Sequence, residues 1–250
     1  MDKNYYKEYF RLERNHWWFK VRGKIILLLI DKSFETSHPK TLKVLNIGAA
    51  TGKTSEILAK YGDVTSLEFD LDCCIFAKNE LGLDIINGSI LELPFVDDSF
   101  DLVCAFDVIE HVENDLQAIA EMKRVCKKGG MLTVTVPAFM SLWSHHDVVN
   151  QHYRRYTQTN LVKIFTANEL KISKSTYYNT LLFLPIFMFR MLSNLVPKRW
   201  IRNGAGSDAT ITAEKGFFNT LMEKIFSLEL YLLKFLNFPF GVSIYLSSKK

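Results

Sequence analysis

The stretch VLNIGAATGKT, from Val44 to Thr54, decides the fold. A short apolar run ends in glycine and passes into the helical pattern TSEILAKY, which reads as strand, tight turn and helix. A phosphate-binding P-loop needs four residues between its first glycine and its Gly-Lys pair. Only Ala49, Ala50 and Thr51 separate Gly48 from Gly52, so the loop is one residue short. A dinucleotide fingerprint needs G-x-G-x-x-G, but Ala50 holds the middle glycine position and Lys53 the third. The surrounding chain therefore has to identify the ligand.

Downstream, DVTSLEFD supplies a second strand, CCIFAKNEL a helix, LDIING a short strand and FDLVCAF a strand that is apolar almost throughout. Such strands alternating with helices predict a largely parallel sheet covered on both faces. ENDLQAIAEMKRVCKKGG has helical periodicity, with Gly129-Gly130 expected to end the helix. MLTVTVPA is a fifth strand, finished by Pro137. A polar and aromatic loop follows, then a helix capped by Thr157. LKISKSTYY and GVSIYLSSK complete the sheet. In the 250-residue chain this predicts a single domain: a helical cap at 1–36, a core at 40–180, an apolar helical insertion at 181–240 and a final strand at 241–250.

The 31 basic and 27 acidic residues give a net charge of +4, too balanced to indicate nucleic acid. Cys73, Cys74, Cys104 and Cys126 lack paired metal-ligand spacing and read as buried thiols in a reducing compartment. No cationic-then-apolar leader opens the chain, so the expectation is a cytoplasmic protein. LLFLPIFMF is too short to cross a bilayer, and Glu223, Lys224, Glu229 and Lys234 interrupt the second apolar piece. The insertion suits a substrate lid, a dimer interface or a membrane-peripheral surface, with Arg190, Lys198, Arg199 and Arg202 as candidate lipid contacts. A monomer and a homodimer both fit.

A loop directly after the first strand lies at the carboxyl edge of a parallel sheet, where ligands bind in such folds. Glu68, twenty residues after Gly48, stands at the end of the second strand and can accept both hydroxyl protons of a ribose. The ordered series VLNIGAATGKT, SLEFD, NGSILELPFVDDSFDLVCAFDVIEHV and KRVCKKGGMLTVTVPA resembles the class I S-adenosylmethionine-dependent methyltransferases, in particular the ubiquinone and menaquinone biosynthesis group.

That resemblance implies a Rossmann-like, mostly parallel seven-stranded sheet with an antiparallel last strand, N-terminal helices and the helical insertion between the last two strands. It implies S-adenosyl-L-methionine as cofactor and S-adenosyl-L-homocysteine as product. Gly48, Ala49, Ala50 and Gly52 would curve around the methionine portion, with Asn46 in the position where an acidic residue is common. Glu68 would hold the ribose, with Phe69 beside it, and Ser89 and Ile90 would meet the adenine, Ser89 replacing the usual aspartate. Phe106 and Asp107 would flank the transferred methyl, and His111 either contacts the cofactor or caps the next helix.

Methyl transfer from a sulfonium chiefly needs alignment and exclusion of water, and calls for no metal. An acceptor oxygen of high pKa additionally needs a base, for which His145, His146, His152 and Asp107 are the candidates. Arg154, Arg155 and Tyr156 could bind an anionic acceptor, or the arginines could pair with carboxylates at helix starts while Tyr156 packs. Trp17 and Trp143 are candidate rings for closing over the acceptor. The expected substrate is a small, amphiphilic or aromatic molecule. An NAD-dependent oxidoreductase and a non-catalytic nucleoside-binding protein are the competing functions.

Overall fold

A computed structural model of the chain describes residues 3–34, 41–195 and 216–250; Lys198, Arg199 and Arg202 lie outside the described residues. Two helices open the fold, α1 (Lys3–Asn15) and α2 (Trp17–Ser33). Strand and helix then alternate: β1 (Leu42–Ile47), α3 (Lys53–Leu58), β2 (Gly62–Glu68), α4 (Leu71–Leu81), β3 (Ile86–Asn87), β4 (Phe100–Phe106), α5 (Asp115–Val125) and β5 (Cys126–Pro137). After β5 come α6 (His145–Val149), α7 (Gln158–Ala167), β6 (Lys171–Tyr178), α8 (Phe183–Leu195), α9 (Phe217–Leu232) and β7 (Ser243–Lys249).

The strands form one sheet in the order β3-β2-β1-β4-β5-β7-β6. β1 to β5 pair in parallel, whereas β7 runs antiparallel to both β5 and β6. The Rossmann-like sheet with a reversed last strand is therefore present. Alternation along each strand divides the core in two. Leu45, Ile47, Val103, Ala105, Leu132 and Val134 join the cluster that contains α5 and α7 residues. Val44, Leu102, Cys104, Phe106 and Met131 join the cluster of α2 and α9 residues. Both faces being covered explains why these strands are apolar at nearly every position. All four cysteines are free and buried.

The helix before β5 ends earlier than its pattern predicts. α5 stops at Val125, and β5 begins at Cys126 and runs through the double glycine. The register to β4 shifts between Phe100 and Leu102, so these residues form a bulge. A Cβ at Gly130 would lie 2.7 Å from Cys126 Sγ, 2.8 Å from the Lys127 carbonyl oxygen and 3.0 Å from that of Asp101. Gly130 thus permits close backbone approach, Gly129 takes φ +77° in open space, and the pair does not terminate the helix.

The insertion is tied to the core through buried charges. Glu229 of α9 is fully buried and accepts the backbone N–H groups of Asn179 (2.7 Å) and Leu181 (2.8 Å) just after β6. Arg190, expected as a lipid-facing cation, is buried and donates to the Leu142 carbonyl at 2.8 Å. Among the described residues no helix is long and apolar enough to cross a membrane.

Gly130→Ala should lower the denaturant midpoint by an amount equivalent to about 1–3 kcal/mol, as overpacking against fixed backbone does. An unchanged midpoint would show that the bulge has room to spare.

Candidate functional site

The carboxyl ends of the parallel strands bring the predicted residues together from separate loops. Gly48 N and Ala49 N both donate to the Leu67 carbonyl, at 2.8 and 3.0 Å, clipping the glycine loop to the end of β2. Gly48 (φ +72°), Ala50 (φ +46°) and Gly52 (φ +87°) all adopt the left-handed conformation. A Cβ on Gly48 would fall 2.4 Å from Val108 Cγ2, and one on Gly52 2.5 Å from Leu83 Cδ1. The two glycines therefore both make the turn and let those side chains press against it.

Glu68 is braced from two sides. Its Oε2 accepts the Ala50 N–H at 2.9 Å and its Oε1 the Asp70 N–H at 3.0 Å. Each oxygen keeps a further lone pair, a pattern suited to two neighbouring hydroxyls. Phe69 next to it is 76% exposed, available as an apolar wall. Asn46 spends its amide N–H groups on Thr54 Oγ1 (2.7 Å) and Ser55 Oγ (2.9 Å). Its Oδ1 is sealed from solvent and has no partner among the described residues. These features fit an adenosyl amino acid.

Two expectations around the adenine position are modified. Ser89 Oγ accepts the Leu91 N–H at 3.1 Å, so that oxygen is already engaged within its own turn. The Ile90 side chain is buried in the core, which leaves only its backbone to face a ligand.

At the end of β4 the Phe106 ring is buried toward α2, and Asp107 takes φ +57°. The Asp107 carboxylate is committed: Oδ2 lies 2.6 Å from Arg22 Nη2, and Oδ1 accepts from Thr135 Oγ1 at 3.1 Å. Arg22 Nη2 also donates to Thr135 Oγ1 at 3.3 Å. Burial opposes the charge on Arg22, but Asp107 more than restores it and raises the pKa above the ordinary arginine value. For Asp107 to act as a base it would have to leave this pair. Sequence reasoning missed Arg22. The available signal was a guanidinium one turn from Trp18 and Ile26, on the apolar side of a helix whose lysines sit elsewhere.

The loop after β5 is built around Asp147. Arg155 grips it through Nε–Oδ1 (2.7 Å) and Nη2–Oδ2 (3.0 Å), while Nη1 donates to the Ala138 carbonyl at 3.2 Å. His152 Nδ1 lies 2.9 Å from Asp147 Oδ1, and Ser144 N donates to Oδ2 at 2.8 Å. Burial alone would raise the Asp147 pKa, but His152, Arg155 and the Ser144 amide hold it well below the usual carboxylate range. Arg154 donates to Asp115 Oδ2 (2.9 Å) and the Glu113 carbonyl (2.6 Å), and Tyr156 donates to the same Asp115 oxygen at 3.0 Å. Arg154, Arg155 and Tyr156 thus occupy the carboxylate-paired, packed alternative and spend these donors on the protein itself.

His145 is exposed, His146 lies beside Asn150, and Trp143 is half-buried. Trp17 is buried in the interface between α2 and α9, edge-on to Phe226 with ring centroids 5.8 Å apart, and so does not stand over the cofactor edge. His111 is exposed, its ring perpendicular to that of His152 at a centroid distance of 4.6 Å.

Residues 45–134 match the family described as "Methyltransferase domain". A demethylmenaquinone methyltransferase from Renibacterium salmoninarum is 40% identical over 94 residues, 37% of this chain and 40% of that protein. A malonyl-[acyl-carrier protein] O-methyltransferase from Buchnera aphidicola is 28% identical over 156 residues, covering 62% of this chain and 60% of that protein. The chain therefore spans about half the length of these curated relatives. A crystal structure of an S-adenosylmethionine-dependent methyltransferase from Archaeoglobus fulgidus superposes with a TM-score of 0.54 at 14% identity, over 92% of this chain and 94% of that one. Residues 45–134 carry a methyltransferase domain, and the sheet around them has the fold of class I methyltransferases. The methyltransferase match lies within the chain's sheet core, and the relatives it resembles there are named as S-adenosylmethionine-dependent or quinone- and acyl-carrier-directed methyltransferases.

Two measurements test the site's framework. Asp147→Ala should cost about 3–5 kcal/mol, because it strands the buried Arg155 charge; a loss below 1 kcal/mol in chemical denaturation would show the pair to be dispensable. Glu13 of α1 is buried and accepts the hydroxyl of Thr51 in the glycine loop; burial pushes its carboxyl up to about 7, against the opposing pull of Thr51, Arg14 and Arg22. A folded pKa above the unfolded value means stability present below about pH 4.5 and lost as the pH rises through 7. Relative to Glu13→Gln, the wild type should lose up to about 3 kcal/mol across that window. Parallel stability–pH curves for the two proteins would contradict the shift.

Proposed function

We propose that the chain transfers a methyl group from S-adenosylmethionine to a small amphiphilic or aromatic acceptor. The Glu68 carboxylate carries this reading: at the end of β2, beside the glycine loop, it accepts the Ala50 and Asp70 amides with one hydrogen bond to each oxygen. When bound, the cofactor supplies a methyl on a sulfonium, ready for in-line displacement.

The residues of the chain then bind and orient. Glu68 takes the ribose hydroxyls, Phe69 and the backbone at Ser89 and Ile90 border the adenine, and Asn46 with the Gly48–Gly52 loop holds the amino-acid portion. Asp107, His111 and His152 border the methyl. Asp107 acts by holding Arg22 and the end of β4 in place, which sets the floor under the acceptor.

The surface of the insertion supports this acceptor class. Leu184, Met188, Phe189 and Leu192 of α8 are exposed, as are Phe235 and Leu236 after α9. Grouped apolar exposure on such a helix suits an amphiphilic acceptor or the membrane surface that stores it.

Titration calorimetry with S-adenosylhomocysteine should show one site, and Glu68→Ala should weaken it about tenfold or more, the worth of hydrogen bonds to a charged group. Affinity for NADH in place of S-adenosylhomocysteine would overturn the cofactor assignment. Incubation with methyl-labelled cofactor and fractionated lipids and metabolites should place the label in an apolar or aromatic product. Label found only in small hydrophilic products, with no co-sedimentation on vesicles, would overturn the acceptor class.

A further inference from the structure

We propose that Glu110, His111 and His152 form a binding site for one divalent transition-metal ion at the carboxyl edge of the sheet. Glu110 lies in the 3-10 turn Ile109–His111, directly after Asp107 and Val108. Its side chain is fully buried, and among the described residues its carboxylate meets no hydrogen-bond donor beyond its own backbone amide. The nearest cations are committed elsewhere, Arg22 to Asp107 and Arg155 to Asp147. A buried carboxylate with so little to meet its charge is strongly disfavoured. Protonating it leaves an O–H that is equally unsatisfied. A cation at Glu110 resolves both problems.

The two imidazoles complete the donor set. One ligand atom from each of Glu110, His111 and His152 lies within 4.8 Å of the others. Ligands at about 2.1 Å from a metal stand roughly 3–3.5 Å apart, so the three groups need to close by roughly 1.5 Å. The exposed His111 ring also meets the Asn150 backbone, which leaves one ring nitrogen to make that closure. His152 is already oriented: its Nδ1 lies on Asp147 Oδ1 at 2.9 Å, which leaves Nε2 as the nitrogen for coordination. Asp147 is itself locked by Arg155 and the Ser144 amide. A carboxylate behind a histidine, fixing its tautomer and raising its basicity, is the usual support for a ligating imidazole.

Two imidazoles and one carboxylate select zinc, iron(II), cobalt(II) or nickel(II) over calcium or magnesium. Three protein ligands leave coordination positions open, and the exposed edge at His111 gives access to them. This is a different constellation from the His145–His146–Asp147 run, whose two histidines take no part. The role of the ion rests on the methyltransferase reading; its binding does not. In that role, an acceptor hydroxyl joining the ion would lose its proton to solvent near neutral pH. The resulting oxygen attacks the methyl carbon as the carbon–sulfur bond breaks, releasing S-adenosylhomocysteine. No free side-chain base is then required, which agrees with Asp107 being held by Arg22.

The test is a cobalt(II) titration of the untagged full chain after chelator treatment and dialysis. One equivalent should bind with visible d–d absorption. His111→Ala and Glu110→Gln should each weaken binding about tenfold or more, Asp147→Asn about ten- to a hundredfold, and His145→Ala should leave it unchanged. His111 is a surface side chain, so that variant keeps the comparison usable if Glu110→Gln or Asp147→Asn loses its near-ultraviolet circular dichroism. Absence of the d–d band in the wild type, or equal affinity in His111→Ala, would overturn the site. Binding of S-adenosylhomocysteine without cobalt would remove the metal and keep the methyltransferase reading; cobalt binding without S-adenosylhomocysteine would do the reverse.

Discussion

The ion pair between Arg22 and Asp107 joins the N-terminal helices to the sheet at the point where the chemistry is expected. Arg22 is almost completely buried in it, while Asp107 stays partly exposed. Such a pair adds little net stability over an apolar contact, yet removing either partner strands a charge. Its effect is positional. With Thr135 it holds Asp107 in a left-handed conformation, so that β4 stops there and the next residues turn sharply into Ile109–His111. Val108, placed by that turn, packs against Gly48. The end of β4, the cofactor loop and the buried Glu110 therefore share one anchor.

From that anchor the carboxyl edge divides into two chemically distinct sides. Toward β2 it offers backbone amides and one carboxylate: the glycine loop, Glu68 and the amides that orient Glu68. Toward β5 it concentrates ionisable groups: Glu110, His111, His152 and the Asp147–Arg155 pair. The first side suits a sugar and an amino acid. The second suits activation of whatever receives the methyl.

The charges in the HHDVVNQHYRRY segment show how a buried loop is built. Asp147 satisfies a backbone amide, a guanidinium and an imidazole at once, and Asp115 collects Arg154 and Tyr156. These groups look like a binding surface when the chain is read linearly. Folded, they replace the backbone pairing that an irregular segment lacks. Glu229 does the same for the turn after β6, which is why a charge interrupts an apolar helix there.

Much of the fold was legible because its signals are local: apolar strands between amphipathic helices, the glycine turn after β1, Thr157 as a cap and Glu68 at a strand end. Each depends on neighbours within a few residues and on a periodicity that burial imposes. The helix boundary at Val125 and the β5 bulge were not legible, because a glycine pair marks close backbone approach as readily as a helix end. Only the tertiary structure decided the partners of the charged groups. Arg22 and Asp107 are 85 positions apart, and Glu110 and His152 are 42 apart. Whether a charge is solvated, paired or left alone depends on what the folded chain brings within a few ångströms of it, and composition and spacing carry no record of that.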